Sequence, residues 1–184
     1  MRQGLIPHAD SRCDAVMHIT VDVARPRAGT LSVHYNVTAE ICALRLPPVS
    51  APLRMDGLWQ STCFEVFVRA SADGPYYEFN FAPSTQWAGY RFDGYRSGMT
   101  AAREIDAPRI EVRSNGANYE LRVALDLARL PDLPPGSLWR LGLSAVIEET
   151  GGRKSYWALA HPPGKPDFHH SDCFALTLPA PLQP

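Results

Sequence analysis

Apolar and polar residues alternate with a period of two along most of the chain, and no segment carries the 3.6-residue repeat of a long amphipathic helix. In residues 16–23 the alternation sets Met17, Ile19, Val21 and Val23 on one side, which predicts a strand. RPRAG at 25–29 supplies a turn, after which Leu31, Val33, Tyr35 and Val37 alternate again, so the two runs form a hairpin. A third short strand over 41–46 stops at Pro47 and Pro48, and a proline-containing loop follows to Gly57. Residues 1–14 read as an irregular lead-in.

Residues 63–81 carry the clearest pattern. Phe64, Val66 and Val68 share one face, with Cys63, Glu65, Phe67 and Arg69 on the other. After a turn near 71–74, Tyr77, Phe79 and Phe81 oppose Tyr76, Glu78 and Asn80. Further strands are predicted at 110–113, 119–125, 139–147, 155–159 and 174–178, with one helical turn at 126–130 capped by Asp126 and stopped by Pro131. About ten short strands without a crossover helix make the chain all-β, a single antiparallel β-sandwich over residues 15–178, followed by a frayed proline-rich tail at 179–184.

Composition narrows the function. The 184 residues are 45% hydrophobic and 20% charged, enough for a core that needs neither disulfide nor metal. A net charge of -1, with Arg91, Arg96 and Arg103 interspersed among Asp93, Glu104 and Asp106, predicts no nucleic-acid partner. No apolar stretch reaches the ~20 residues of a membrane-spanning helix, so no membrane partner is expected. The opening residues lack a secretory pattern, and the expected location is cytoplasmic. Cys13, Cys42, Cys63 and Cys173 are widely spaced and read as free thiols, with Cys63 the most protected.

The blocks LWQSTCFEVFV, YYEFNFAPSTQWAGYRF, YRSGM and YWALAHPPGKPDFHHSDCF resemble a cytoplasmic bacterial branch of the DOMON-like superfamily, which includes the family 9 carbohydrate-binding modules and haem-binding domains of some extracellular dehydrogenases. The resemblance runs from about Leu5 to Leu178. It implies a sandwich of jelly-roll or immunoglobulin-like type, the jelly roll preferred, with a site on a concave sheet face or its rim. Positions fitting the shared strand pattern are Glu65, Glu78, Asn80 and Trp87. A haem-binding domain is one alternative it raises; Met55, Met99, His161, His169 and His170 are the available axial ligands, the chain has no CxxCH, and no cofactor is expected.

Glu65, Glu78 and Asn80 are the polar members of strongly apolar runs and project from one face if their strands pair. They are equally consistent with a solvated sheet surface. Trp87 and Arg91, together by alternation and opposite Tyr90 and Phe92, complete the expected ligand set, an indole for a sugar's apolar face and a guanidinium for its hydroxyls. Secondary candidates are Trp59, Arg96, Trp157, His161, His169 and His170. The segment after Trp157 holds His161, Asp167, His169, His170 and Asp172, a conceivable Zn²⁺ or Ni²⁺ set, but adjacent histidines diverge in extended chain; the preferred reading is a structural loop in which one histidine bonds the turn and the other faces a pocket, with no metal site. The expectation is non-catalytic binding of a carbohydrate or similar polyhydroxylated small molecule. The alternatives are a structural or protein-interaction domain with a polypeptide partner, and a carbohydrate-active enzyme using Glu65 with Glu78.

Overall fold

A computed structural model describes residues 1–181; the last three residues of the expected proline-rich tail lie outside it. Among the described residues twelve strands pair antiparallel in one continuous, curled sheet whose two halves pack face to face as two layers, called the first and second sheet below. The first sheet has the order β1 (Arg2–Pro7), β2 (Val16–Arg27), β3 (Thr30–Ala39), β9 (Asn118–Asp126), β8 (Arg109–Ser114). The second runs β7 (Thr100–Ala101), β6 (Trp87–Phe92), β5 (Tyr76–Phe81), β4 (Cys63–Arg69), β10 (Trp139–Glu148). The far edge of β10 pairs with β12 (Leu176–Leu178) along its first part and β11 (Lys154–Ala158) along its second. Hairpins stay within a sheet, while the connections β3 to β4, β7 to β8 and β9 to β10 pass between sheets, as the predicted sandwich requires.

Five local expectations change. Residues 2–7 are a strand: β1 pairs with β2 through Arg2 to Leu5 and with β11 through Ile6 and Pro7, joining the sheets. RQGLIP has no alternation to reveal this, because its pairing changes partner midway. In β2 a register shift between Val16 and His18 turns Met17 outward to 67% exposure, while Val16 and Ile19 are buried. The same strand continues through Pro26 to Arg27, so the turn is Ala28 and Gly29 alone. Residues 41–46 give a single 3-10 turn, Ile41–Ala43, and one isolated bridge at Leu44 instead of a strand. The expected helical turn at 126–130 is a non-helical turn in which Asp126 Oδ1 accepts the Ala128 N–H at 3.0 Å.

Between the sheets the core is the set that alternation selects. Ile19, Val21, Val33, Tyr35, Leu121 and Val123 from one sheet meet Phe64, Val66, Phe79, Leu141 and Leu143 from the other, all within 2% exposure. Each such side chain contributes about 1.5–3 kcal/mol by leaving water. Tyr35 also donates its hydroxyl to the Glu65 carbonyl at 2.6 Å, which ties β3 to β4 across the core. The outer face of the second sheet is largely buried as well. Phe67, Tyr76, Ala88, Tyr90, Phe92 and Val146 form a second cluster, packed under Phe168 and Phe174 from the loop before β12. This sheet is therefore buried on both faces, and β4 and β5 are buried along their whole length, their polar members Glu65, Arg69, Glu78 and Asn80 included.

Candidate functional site

On that covered outer face, pairing of β4 with β5 sets Glu65 directly opposite Asn80 and Phe67 opposite Glu78, so the two carboxylates are diagonal neighbours. Glu65 is 3% exposed, Glu78 6% and Asn80 0%, which rules out the solvated-surface alternative for all three. Asn80 Nδ2 donates to Glu78 Oε1 at 2.7 Å, and its Oδ1 has no partner. Ser144, opposite Glu65 on β10, donates to Glu65 Oε2 at a long 3.4 Å.

A cavity of about 400 Å³ opens over the two carboxyl groups. Its polar lining is Glu65, Glu78, Arg96 and His169; Trp59, Phe92, Tyr156 and Phe168 supply the rings. Trp59 stands on the 3-10 turn Leu58–Gln60, edge-on to Tyr90 at 6.0 Å, and is 40% exposed at the rim. His169 is wedged edge-on between Phe67 and Phe92, each 5.1 Å away. The Arg96 N–H donates to the Tyr76 hydroxyl at 3.3 Å, and that hydroxyl lies 2.7 Å from His169 Nδ1. With the hydroxyl assigned as donor to Nδ1, the neutral imidazole carries its proton on Nε2, which lies 3.6 Å from Glu78 Oε2.

Burial dominates the electrostatics. It raises Glu65 well above the ordinary carboxylate range, with Glu78 adding to the effect. It carries Glu78 up to about 7, against the opposing influence of Asn80 and Arg96. Burial also lowers His169 to about 4, helped by Arg96, so the imidazole is neutral at neutral pH. Arg96 does not neutralise the carboxylates by direct contact. Its guanidinium is held by Asp167, at 3.2 Å from Nε and 2.7 Å from Nη2, and Asp167 also accepts from the Tyr95 hydroxyl and from the His169 N–H. Arg96 itself adopts φ of 51°, a left-handed backbone uncommon for a non-glycine residue and here placed at the cavity wall.

Of the residues expected from sequence, the structure gathers Glu65, Glu78, Asn80, Trp59, Arg96 and His169, and it separates the rest. Trp87 lies opposite Phe81 with its ring on the core side, 3% exposed, its Nε1 donating to the Pro52 carbonyl at 3.2 Å under the Arg54 guanidinium. Arg91 faces the same way and binds Asp132 at 2.6 Å and Asp93 at 2.5 Å. Neither shares a face with the carboxylates. Trp157 is also turned into the core, bonded to Ser155. His161 packs on His8 and donates to the Ile6 carbonyl at 2.9 Å. His170 accepts the Asp172 N–H, capping the 3-10 turn Ser171–Cys173, while His169 turns inward. Sequence reasoning missed Phe92, Tyr156 and Phe168 as cavity walls, since alternation does not say which layer a strand face meets and Phe168 stands on a loop with no period to read.

No protein-family model matches the chain, and no curated protein matches it in sequence. Solved structures do. A Bacteroides uniformis protein provisionally assigned as carbohydrate-binding superposes over 97% of this chain and 85% of its own, with a TM-score of 0.66 at 15% identity. A family 9 carbohydrate-binding module of Caldicellulosiruptor kristjanssonii, in complex with cellotriose, covers 88% of this chain and 74% of its own, with a TM-score of 0.50 at 11% identity. At such identities the likeness establishes the fold. The chain is a β-sandwich of the kind found in family 9 carbohydrate-binding modules.

Proposed function

We propose that the cavity over Glu65 and Glu78 binds a carbohydrate or a similar polyhydroxylated small molecule without transforming it. The observation that carries this reading is the convergence of two desolvated carboxylates, a guanidinium and a neutral imidazole inside an aromatic-walled cavity of about 400 Å³, a size within the range of small-molecule sites. Carboxyl oxygens accept hydroxyl protons, the Nε2–H of His169 and the guanidinium N–H groups of Arg96 not taken by Asp167 donate, and Trp59, Phe92 and Tyr156 cover C–H faces. The fold shared with the cellotriose-bound module supports the same ligand class. Membership of the cytoplasmic bacterial branch of the DOMON-like superfamily, with the cytoplasmic location that branch implies, is part of the same proposal and rests on the sequence blocks described above.

The test is a panel of mono- and oligosaccharides, glucose and cellotriose included, scored by saturation-transfer NMR on the wild type, Trp59→Ala and Glu78→Gln. Trp59 is a rim residue whose loss leaves the core untouched, so the variant keeps its fold. Binding to the wild type that weakens tenfold or more in either variant is the expected result. No binding across the panel, or binding that both variants retain in full, would overturn the reading and leave the protein-interaction alternative in its place.

A further inference from the structure

β4 ends at Arg69, directly opposite Arg140 on β10, a like-charge pair across the ladder. Arg69 is 8% exposed, and its guanidinium lies over the Phe174 ring at 4.1 Å. Its Nε has no hydrogen-bond partner, and among the described residues the guanidinium forms no ion pair. Burial alone does not leave an arginine in this state. Arg25, 7% exposed, donates from Nε, Nη1 and Nη2 to the carbonyls of Ala28, Ser137 and Pro135 at 2.6–2.9 Å. Arg69 instead borders a second cavity of about 380 Å³, shared with Asp73, Tyr76, Tyr95, His170 and Ser171. His169 lines both this cavity and the Glu65 cavity and separates the two.

A desolvated cation beside a second arginine lacks its counter-charge, and burial and Arg140 both weaken its hold on the proton. Asp73, on the turn after β4, is the carboxylate lining this cavity, and it acts on Arg69 only at a distance. His170 accepts the Asp172 N–H through Nδ1, so its proton sits on Nε2, and the Ser171 hydroxyl is a further donor at the wall. We infer that this second cavity is an oxyanion site, in which the Arg69 guanidinium takes the carboxylate or phosphate group of a small molecule as a two-point contact, with His170 and Ser171 donating at its edge. A planar fork fixed by stacking on Phe174 is suited to that geometry, where a lysine would offer only a point charge. The inference stands apart from the sugar reading, because it involves neither Glu65 nor Glu78.

The experiment follows the Arg69 Nε–H resonance in a ¹⁵N-labelled protein titrated separately with inorganic phosphate and with acetate, at constant ionic strength set by sodium chloride. A saturating shift with phosphate, acetate or both is expected, and the stronger arm identifies the headgroup. Arg69→Gln, followed through neighbouring backbone amides, should weaken that binding at least tenfold, while Asp73→Asn, on an exposed turn that leaves folding intact, should tighten it severalfold by removing the competing carboxylate. A linear response no different from that of chloride would overturn the inference, as would a folded Arg69→Gln that binds as the wild type does, or, where Arg69→Gln does not fold, an affinity unmoved by Asp73→Asn.

Discussion

Replacing Glu78 by glutamine should remove the part of the pH dependence of stability that this carboxyl contributes to the wild type. Glu78 titrates near 4.5 in the unfolded chain and near 7 in the folded one, chiefly because burial disfavours its charge. Between those values the native state holds the extra proton, so stability falls as pH rises, by about 1.4 kcal/mol per pH unit and about 3 kcal/mol in all. Neighbouring groups mask this in the wild type alone. His169, lowered from 6.5 to about 4, pulls in the opposite direction, because its unfolded form binds the proton first and stability is lost as pH falls. Glu65 pulls the same way as Glu78. Arg96 stays charged throughout. The difference between wild type and Glu78→Gln cancels the His169 contribution, and relief of Glu65 in the variant only adds to the same sign. Urea denaturation of both proteins at pH 4.5, 5.5, 6.5, 7.5 and 8.5 should therefore show the wild type losing about 3 kcal/mol relative to the variant up to pH ~7 and little beyond. A difference that is constant over this range, or that moves in favour of the wild type as pH rises, would refute the buried, desolvated state assigned to Glu78.

Three further outcomes follow from the packing. Trp87→Ala should cost about 3–5 kcal/mol in urea denaturation, the cost of a large core ring, and a loss below 1 kcal/mol would place the indole outside the core. Gly142→Ala should cost about 1–3 kcal/mol, since a Cβ there would stand 3.1 Å from the Cys173 carbonyl oxygen and 3.3 Å from Phe67 Cβ, neither a flexible chain end; an unchanged melting temperature would contradict the close approach of that loop to β10. In denaturant a thiol reagent should titrate four groups without prior reduction, while the native protein exposes Cys42 at once and protects Cys63 and Cys173 until it opens; two missing thiols would show a disulfide.

How far the site could be read in advance depends on one turn. Alternation alone puts Glu65, Glu78 and Asn80 opposite the core residues of β4 and β5, and it splits β6 correctly into Trp87 with Arg91 and Tyr90 with Phe92. Which half of β6 joins the carboxylates depends on the register across residues 82–86, where Phe81 meets Trp87 and Thr85 takes a φ of 71°. A shift of one residue would exchange the faces, and no periodicity within either strand reports that shift. The sandwich itself was legible because its core repeats the same period in strand after strand. β1 escaped notice because Leu5 is its sole buried residue. The burial of the outer face was hidden for another reason: its cover comes from Phe168, His169 and Phe174, on a loop with no period to read.

A strand bonded to both sheets has a mechanical consequence. β1 crosses the seam with four residues registered on β2 and two on β11, so sliding one sheet over the other would have to break both ladders together. Shear between the layers is thereby resisted, and with it any breathing of the cavity floor on β4 and β5. The freedom to admit a molecule then falls to the walls, where Asp167 clasps Arg96 and Tyr95 and fastens the loop after β11 to the loop after β6. Ligand residence time should accordingly depend on how often that clasp opens, and be set at the rim.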